Sequence, residues 1–382
     1  MTRRFIFVMV SVLGLVSCGS GYVKPVEASQ TGVSLSFFSN VNAVCGSEEN
    51  VVTSPYSAAV CLSMLAEGAG GTTRTEFDSA LGGIMFKAED LGGNDTLIVE
   101  SANSIWIDDN FSIRNSYVDL LQKDFDAFIT TQRFSDPATV KAINNWCLEH
   151  TDGKIGDMID RLSPDMVMVL VNALYFNAPW ADGFDPELTS EEIFHGRSRN
   201  SKVQMMHRTG QYEYAKLYDT QLIRLPYQGD RYSMYVALPP EGVDLDKVIP
   251  QITEATFSSA VEMMSPKKVK LSLPRFKVET SMLLNKALQN MGIKTAFTPA
   301  ADFHGIAEMG PLVLDQVKQK CYVEVAERGT EAAAVTVAQI RLTSVRVNPE
   351  DMAVMTVNRP FVFMITDSFT GNILFAGKIV HL

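Results

Sequence analysis

The chain has 382 residues and a formal net charge of −11, and 46% of its residues are hydrophobic while 20% are charged. These proportions are ordinary for a globular protein, and they exclude a disordered tail protein, a coiled coil and a collagen-like repeat. The acidic net charge argues against nucleic acid and against anionic polysaccharides as general partners.

The N-terminus has the pattern of a secretion signal. A basic start is followed by an apolar run over residues 5–16, which is too short for a membrane-spanning helix and predicts a signal peptide over residues 1–17. The run ends in Leu-Val-Ser-Cys at Cys18. This motif resembles a bacterial lipobox, in which the cysteine is lipidated; an ordinary signal peptide that contains a cysteine is the alternative.

The lipobox resemblance also implies a location. The small, polar residues 18–31 predict a flexible tether behind the modified cysteine. Because no Asp follows Cys18, the resemblance implies a lipid-anchored protein of the cell envelope, held at the outer membrane.

The rest of the chain shows mixed helix and strand patterns without internal repeats. Ser54 and Pro55 form a plausible helix start, and the nearly unbroken apolar run over 166–176 is typical of a buried strand. No linker interrupts residues 32–382, which predicts one large domain rather than two or three small ones. The predicted helices cover residues 33–45, 58–66, 117–125 and 140–150, and the predicted strands cover 101–108, 166–176, 222–226, 233–238, 269–273, 322–326, 361–366 and 374–378.

Four cysteines remain after residue 18, namely Cys45, Cys61, Cys147 and Cys321. None forms a CxxC pair or has a histidine at zinc-ligand spacing. Buried, unpaired thiols are therefore favoured over disulfides, and no metal or other cofactor is predicted.

The usual catalytic signatures are absent from the sequence, which has no GxSxG, HExxH, P-loop or GxGxxG motif. The five histidines do not lie beside a serine or cysteine in a recognisable nucleophile motif. A dispersed triad, whose members meet only in space, stays open at this point, but the chain is predicted not to be an enzyme.

The most informative segment follows the strand predicted over 322–326. It begins Glu-Arg-Gly-Thr-Glu-Ala-Ala-Ala at Glu327, and neither Pro nor Gly occurs between Thr330 and Pro349. Alternate positions form an uncharged face of mostly small side chains, as a strand with one buried face requires, although the alanines also favour a helix. Such a segment is a candidate for conformational switching. The uncharged face consists of Thr330, Ala332, Ala334, Thr336, Ala338 and Ile340.

This segment closely resembles the hinge of inhibitory serpins, and the resemblance covers residues 33–382. The match is specific because many further motifs follow in the family's order. They lie at residues 50–57, 143–146, 151–155, 170–176, 358–363 and 374–379, together with Trp180, Phe184 and Phe194.

The resemblance implies an α+β serpin fold with three β-sheets, about nine helices and an exposed reactive loop at about residues 327–349. It also implies a suicide inhibitor of serine proteases, with cysteine proteases as a second class. The protease would attack the loop and form an acyl-enzyme, and the cleaved loop would insert into the central sheet as a new strand. The implied hinge residues are Glu327, Gly329, Thr330, Ala332, Ala333 and Ala334.

A non-inhibitory serpin that acts as a binding protein is the alternative. Such members usually carry charged or bulky hinge residues, which this chain lacks. By the family's spacing from the hinge glycine, the scissile bond joins Thr343 and Ser344, with Arg341, Leu342 and Arg346 as alternatives. This assignment favours elastase-like targets over trypsin-like ones, and a monomeric inhibitor is expected.

The resemblance also identifies a region where the central sheet opens. Its residues are Ser54, Ser57, Asn172, Trp180 and Gln319, and the resemblance implies that Ser54, Ser57 and Asn172 are the partners of Gln319. Many relatives have a histidine at the position of Gln319, whose amide can still donate and accept hydrogen bonds, so a different pH behaviour is expected. The stretch from the loop to Pro360 is several residues longer than in common relatives, which blurs the position of the scissile bond.

Overall fold

The computed structural model describes residues 28–89, 91–93, 96–163, 165–217, 219–308, 312–330 and 352–382. Within them, no helix is both long and apolar enough to cross a membrane. Several predicted site residues lie outside the described residues, namely Cys18, Ala332, Ala333, Ala334, Arg341, Leu342, Thr343, Ser344 and Arg346.

Eight α-helices lie in the described part of the chain. They are α1 (Gln30–Asn42), α2 (Pro55–Glu67), α3 (Gly71–Ala80), α4 (Asn115–Phe125), α5 (Pro137–Glu149), α6 (Leu245–Val248), α7 (Glu254–Glu262) and α8 (Asn285–Asn290). Short 3₁₀ turns cover Pro186–Leu188, Ile249–Gln251 and Thr295–Phe297.

The boundaries of α1 correct two predictions. The Ser29 side chain accepts a hydrogen bond from a backbone N–H of the first turn, which satisfies a donor that has no partner within the helix. The helix therefore begins at Gln30, inside the stretch 18–31 that was predicted as tether. It ends at Asn42, so Cys45 lies in the following turn and not in a helix.

The strands of the described residues run from β1 to β15. They are β1 (Val51–Thr53), β2 (Ile98–Asp108), β3 (Ala127–Gln132), β4 (Met168–Pro179), β5 (Ser190–His195), β6 (Asn200–Leu217), β7 (Thr220–Pro226), β8 (Tyr232–Leu238), β9 (Ser265–Pro274), β10 (Phe276–Leu283), β11 (Lys318–Ala326), β12 (Gly329–Thr330), β13 (Ala353–Thr356), β14 (Phe361–Asp367) and β15 (Ile373–Ile379).

These strands form two hydrogen-bonded sheets. The six-stranded sheet has the order β10-β11-β12-β4-β2-β3, and the nine-stranded sheet has the order β1-β15-β14-β8-β7-β6-β9-β13 with β5 also paired to β6. The 18-residue strand β6 pairs with β5 and β9 in its first part and with β7 in its last part, so it joins two groups of strands. The α+β class is confirmed, and two of the three expected sheets are continuous through this strand.

The main core lies between the two sheets and around α2. Every residue of β14 and β15 is buried, as expected for strands covered on both faces. A second, smaller core lies where α5 covers the outer face of the six-stranded sheet, and there Trp146 and Ile143 pack against Trp106 and Val171.

Strand β6 was missed by the sequence reading, because polar residues interrupt its apolar pattern. Met205 and Met206 lie in this strand with 0% exposure and belong to the core.

The described cysteines are all unpaired, as predicted. Cys147 and Cys321 are buried, and burial raises the pKa of both thiols to about 12, so they stay protonated and unreactive near neutral pH. The prediction of burial is wrong for Cys45 and Cys61, which are partly exposed.

Candidate functional site at the seam of the six-stranded sheet

The six-stranded sheet has a seam between β4 and β11. At one end β12 fills it, and Thr330 lies opposite both Ala178 of β4 and Val325 of β11. Beyond β12, residues 168–177 of β4 pair with β2 and residues 318–324 of β11 pair with β10, and neither stretch pairs across the seam within the described residues. Each of these strands therefore presents a row of backbone N–H and C=O groups to the seam.

A cavity of about 1400 Å³ lies at the end of the seam that is farther from β12. Its floor is formed by α2 and its two sides by β4 and β11. The walls include Ser57, Ala58, Cys61, Met168, Leu170, Asn172 and Gln319. Among the described residues, this end of the seam has room for additional chain between β4 and β11.

Gly329 is packed against the backbone of β4. A Cβ atom at this position would lie 2.1 Å from the carbonyl oxygen of Ala178 and 2.7 Å from Cα of Pro179. Because both contacts are to backbone, no side-chain movement could relieve them. Only glycine fits between the two strands at this point.

Thr330 is also fixed in the seam, with a side chain that is only 2% exposed. Its hydroxyl lies 2.6 Å from the hydroxyl of Tyr227. The Tyr227 ring stacks on Trp180 at a centroid distance of 4.5 Å. The indole Nε1–H of Trp180 donates to the carbonyl of Ala326 at 3.0 Å, so the predicted residue Trp180 holds the hinge end of the seam.

Glu327 anchors the segment that precedes β12. Its carboxylate accepts hydrogen bonds from Arg275 at 2.5 Å and from Thr189 at 2.9 Å, and the residue is 5% exposed. Burial acts to raise the pKa of Glu327, but the hydrogen bonds from Arg275 and Thr189 outweigh it and hold the pKa below its ordinary value. The carboxylate is therefore charged at neutral pH and ties β11 to the loop before β10.

Gln319 lies at the end of the seam farther from β12, beside the cavity, with 7% exposure. Its Oε1 accepts from the Thr53 hydroxyl at 2.5 Å and from the backbone N–H of Ser54 at 3.1 Å, and its Nε2 donates to the Ser54 carbonyl at 2.9 Å. The predicted contact with Ser54 is present, but it uses the backbone. The Ser54 side chain instead caps α2 by accepting from the N–H of Ser57.

Asn172 lines the same cavity but does not bond to Gln319. Its Nδ2 donates to Asn103 at 2.7 Å and to Ser101 at 3.2 Å. Its Oδ1 is shielded from solvent and has no hydrogen-bond partner within the described residues. An unpaired acceptor in this position is costly, and it belongs to a residue that lines the cavity at this end of the seam.

Three residues of the hinge contacts were missed by sequence reasoning, namely Tyr227, Arg275 and Thr189. Arg275 stands between two strands in a Leu-Pro-Arg-Phe stretch, which marks a strand break but gives no partner. Tyr227 and Thr189 carry no local signal, because their contacts join positions more than a hundred residues apart.

Comparison with known proteins gives a consistent result. The family model Serpin (serine protease inhibitor) matches residues 28–382. A protein named serine protease inhibitor from Cyanea capillata is 33% identical over 377 residues, which cover 93% of this chain and 98% of that protein.

Solved structures agree with this match. The native state of the thermophilic serpin tengpin superimposes with a TM-score of 0.84 at 29% identity, covering 92% of this chain and 93% of that chain. Human thyroxine-binding globulin in complex with its ligand gives a TM-score of 0.82 and covers 92% of this chain and 98% of that chain, but its 24% identity shows the fold alone.

Proposed function

We propose that this chain, which belongs to the serpin family, is a suicide inhibitor of serine proteases. The observation that carries the proposal is the half-filled seam. Gly329 and Thr330 already occupy its first two positions in antiparallel register with both neighbours, and the rest of the seam is lined by strand edges and a cavity. A cleaved loop that continues from Thr330 could form backbone hydrogen bonds with the unpaired edges of β4 and β11.

The register of β12 predicts where each loop residue would lie after insertion. Thr330 pairs with Ala178 and Val325, so each step forward along the loop moves one step back along β4 and β11. The predicted neighbours are Phe176 and Val323 for Ala332, Leu174 and Cys321 for Ala334, and Asn172 and Gln319 for Thr336.

These neighbours explain why the hinge face carries small, uncharged side chains. Leu174, Phe176 and Val323 are buried in the main core, so a charge opposite them would be buried without a partner. Thr336 differs from the other residues of this face, because its predicted neighbour Asn172 is polar and its hydroxyl would lie beside that side chain. There it could donate to the Asn172 Oδ1 that has no partner in the native form.

Insertion supplies the driving force for trapping a protease. If about ten residues each gain a net hydrogen bond of ~1 kcal/mol, the gain is on the order of 10 kcal/mol. This is comparable to the whole stability of an ordinary domain. The uncleaved form is then held by a kinetic barrier, and insertion that outruns deacylation traps the acyl-enzyme.

The target class remains part of the proposal. A scissile bond between Thr343 and Ser344 suits proteases with shallow or apolar primary pockets, so elastase-like enzymes are the first expected targets. A bond after Arg341 or Arg346 would suit trypsin-like enzymes, which on the first assignment cut the loop mainly as a substrate.

Incubation with pancreatic elastase and with trypsin tests the proposal. The expected product with elastase is an SDS-stable complex, together with a released C-terminal fragment that begins at Ser344 by mass spectrometry. A fragment that begins at Val347 would move the bond to Arg346 and make trypsin-like proteases the primary targets. Loop cleavage without any complex, by every serine protease tried, would favour the non-inhibitory binding protein.

We also propose that Cys18 carries a lipid anchor that holds the inhibitor at the cell envelope. The proposal depends on the lipobox pattern alone. In the native host, the Cys18→Ala variant is expected to be absent from the membrane fraction and to appear in the soluble fraction. Identical fractionation of both forms would contradict the anchor without affecting the proposed inhibition.

A further inference from the structure

Strand β9 carries three lysines beside the strand to which the reactive loop leads. Lys267, Lys268 and Lys270 lie in its first six residues. β13, the first described strand after the loop, runs parallel to β9 and places Val354 opposite Lys270. Val354 is 55% exposed, so this part of the sheet is open to solvent.

Lys268 and Lys270 share one face of the sheet, since side chains two residues apart point the same way. The intervening Val269 is fully buried on the other face, which fixes this orientation. On the neighbouring strand β6, the partners on the open face are Gln211 and Thr209, and both are uncharged. Lys267 lies on the opposite face, at the exposed end of the strand.

Among the described residues, no carboxylate balances the positive charge of these lysines. None of the three takes part in an ion pair within the described residues, although the chain as a whole is strongly acidic. The next carboxylate on β6, Glu213, is bound by Arg224, which also binds Asp230. Lys268 and Lys270 are separated by about 7 Å along the strand, well within the distance over which salt screens charges.

We infer that Lys268 and Lys270 on the open face, together with Lys267 at the adjoining exposed end of the strand, form a docking ridge for an acidic patch on the target protease. The inference depends on the proposed inhibitory function and adds the surface charge of the partner to it. Unpaired like charges do not stabilise the free fold, so their contribution is to association. An acidic partner would relieve their repulsion and be steered towards the loop.

The ridge lies within reach of a protease bound at the loop. Nine chain steps separate Ser344 from Ala353, and such a stretch spans at most about 30 Å. A protease domain of roughly 230 residues has a radius of gyration of about 17 Å. The lysines beside β13 are therefore within the distance that a protease engaging the bond after Thr343 can reach.

A protein partner fits better than a polyanion. Three lysines within four positions match a small group of carboxylates, whereas long anionic chains gain affinity by neutralising many charges along their length. The strongly negative net charge of this chain further disfavours a polyanion. Polyanion binding is therefore an alternative outcome of the test.

The test compares anionic and cationic trypsin, which share a primary specificity but differ in surface charge. The variants are Lys268→Glu with Lys270→Glu, a milder triple variant with Gln at all three positions, and a control with Lys141→Glu and Lys286→Glu. The control lysines are exposed on α5 and α8 and also lack ion pairs within the described residues, so the net charge changes equally. The readout is the second-order rate constant for loss of the intact loop at low and high salt.

With anionic trypsin, the ridge variants are expected to react about tenfold more slowly than wild type at low salt, and the difference should shrink as salt is raised. The control variant should match wild type, and cationic trypsin should not discriminate against the ridge variants. Equal rates for ridge and control variants would overturn the inference. Dependence on the lysines only in the presence of heparin or polyphosphate would also overturn it, in favour of a polyanion.

Loss of the intact loop is measured whether the protease is trapped or released. Docking precedes both outcomes, so the ridge can be tested even if no covalent complex forms. A ridge effect with loop cleavage but no trypsin complex would support the docking surface and agree with trypsin cutting the loop as a substrate, so the proposed inhibition is judged separately with elastase. Complex formation without a ridge effect would support the proposed inhibition and overturn the docking ridge.

Discussion

The two ends of one seam are built in opposite ways. At the hinge end, Gly329 fits only against bare backbone, and Thr330 and Glu327 are held by buried hydrogen bonds. At the other end, a cavity of about 1400 Å³ separates the strands, and the Oδ1 of Asn172 has no partner within the described residues. Under the proposed inhibition, the filled end would set the register of the inserting loop, and the open end would retain the free energy that insertion releases.

Cleavage of the loop should have the largest effect on stability, because the cleaved loop can then occupy the open end of the seam. We expect the cleaved form to unfold at a much higher temperature than the intact form, with a gain on the order of 10 kcal/mol. Thermal unfolding before and after limited proteolysis within residues 331–349 measures this gain. An equal or lower unfolding temperature after cleavage would contradict loop insertion and favour the non-inhibitory interpretation.

Thr330→Arg should break the filled end. The side chain at this position is already buried against Tyr227 in the intact form, and a guanidinium there would lack a partner. We therefore expect the arginine side chain to displace β12 from the seam, so that insertion must bury the charge against a barrier raised by roughly several kcal/mol. The variant should still be cleaved by elastase but should form little covalent complex. Thr330→Ser, which keeps the hydroxyl, is the matched control and should retain the complex. Undiminished complex from the arginine variant would count against insertion.

Glu327→Gln should loosen the anchor of the filled end by about 1 kcal/mol at neutral pH, since the partner Arg275 is half exposed and its charge is screened by solvent. The folded pKa of Glu327 lies below its ordinary value. Its contribution is therefore fully present above the unfolded pKa of about 4.3 and is lost as the pH falls through the lower folded pKa.

This sign gives a measurable difference between variants. Between about pH 5 and pH 3, the unfolding temperature of the intact wild type should fall more steeply than that of Glu327→Gln. Glu262→Gln is the control, because Glu262 is exposed and has no ion pair within the described residues. The same slope for Glu327→Gln and wild type would show that the anchor carries no proton-linked stability.

Thr336→Val should have the smallest effect, and it should be confined to the cleaved form. The predicted register places the Thr336 hydroxyl beside Asn172, where it would contribute about 1 kcal/mol. The denaturant midpoint of the cleaved form should drop and that of the intact form should stay the same. Thr336→Ser should behave as wild type. A drop in both forms would show that Thr336 has a partner before cleavage and that the proposed register is incomplete.

Much of the fold was readable from local sequence, for identifiable reasons. Strands β14 and β15 are apolar at nearly every position because both of their faces are covered. Helix α2 was located by the Ser54 cap and Pro55. Strand β6 was not found, because its exposed and buried positions serve two groups of strands and its pattern is correspondingly mixed.

The sequence by itself predicted the hinge. Gly329 and the alternating small residues after it are what a strand needs locally if it is to enter a packed sheet, and local needs of this kind leave a pattern in the sequence. Only the tertiary structure decided what holds that hinge: Tyr227 against Thr330, Arg275 against Glu327, and the backbone of Ser54 against Gln319. These contacts join residues from 52 to 265 positions apart, and a single sequence cannot show them because partner choice depends on how the two sheets are arranged in space.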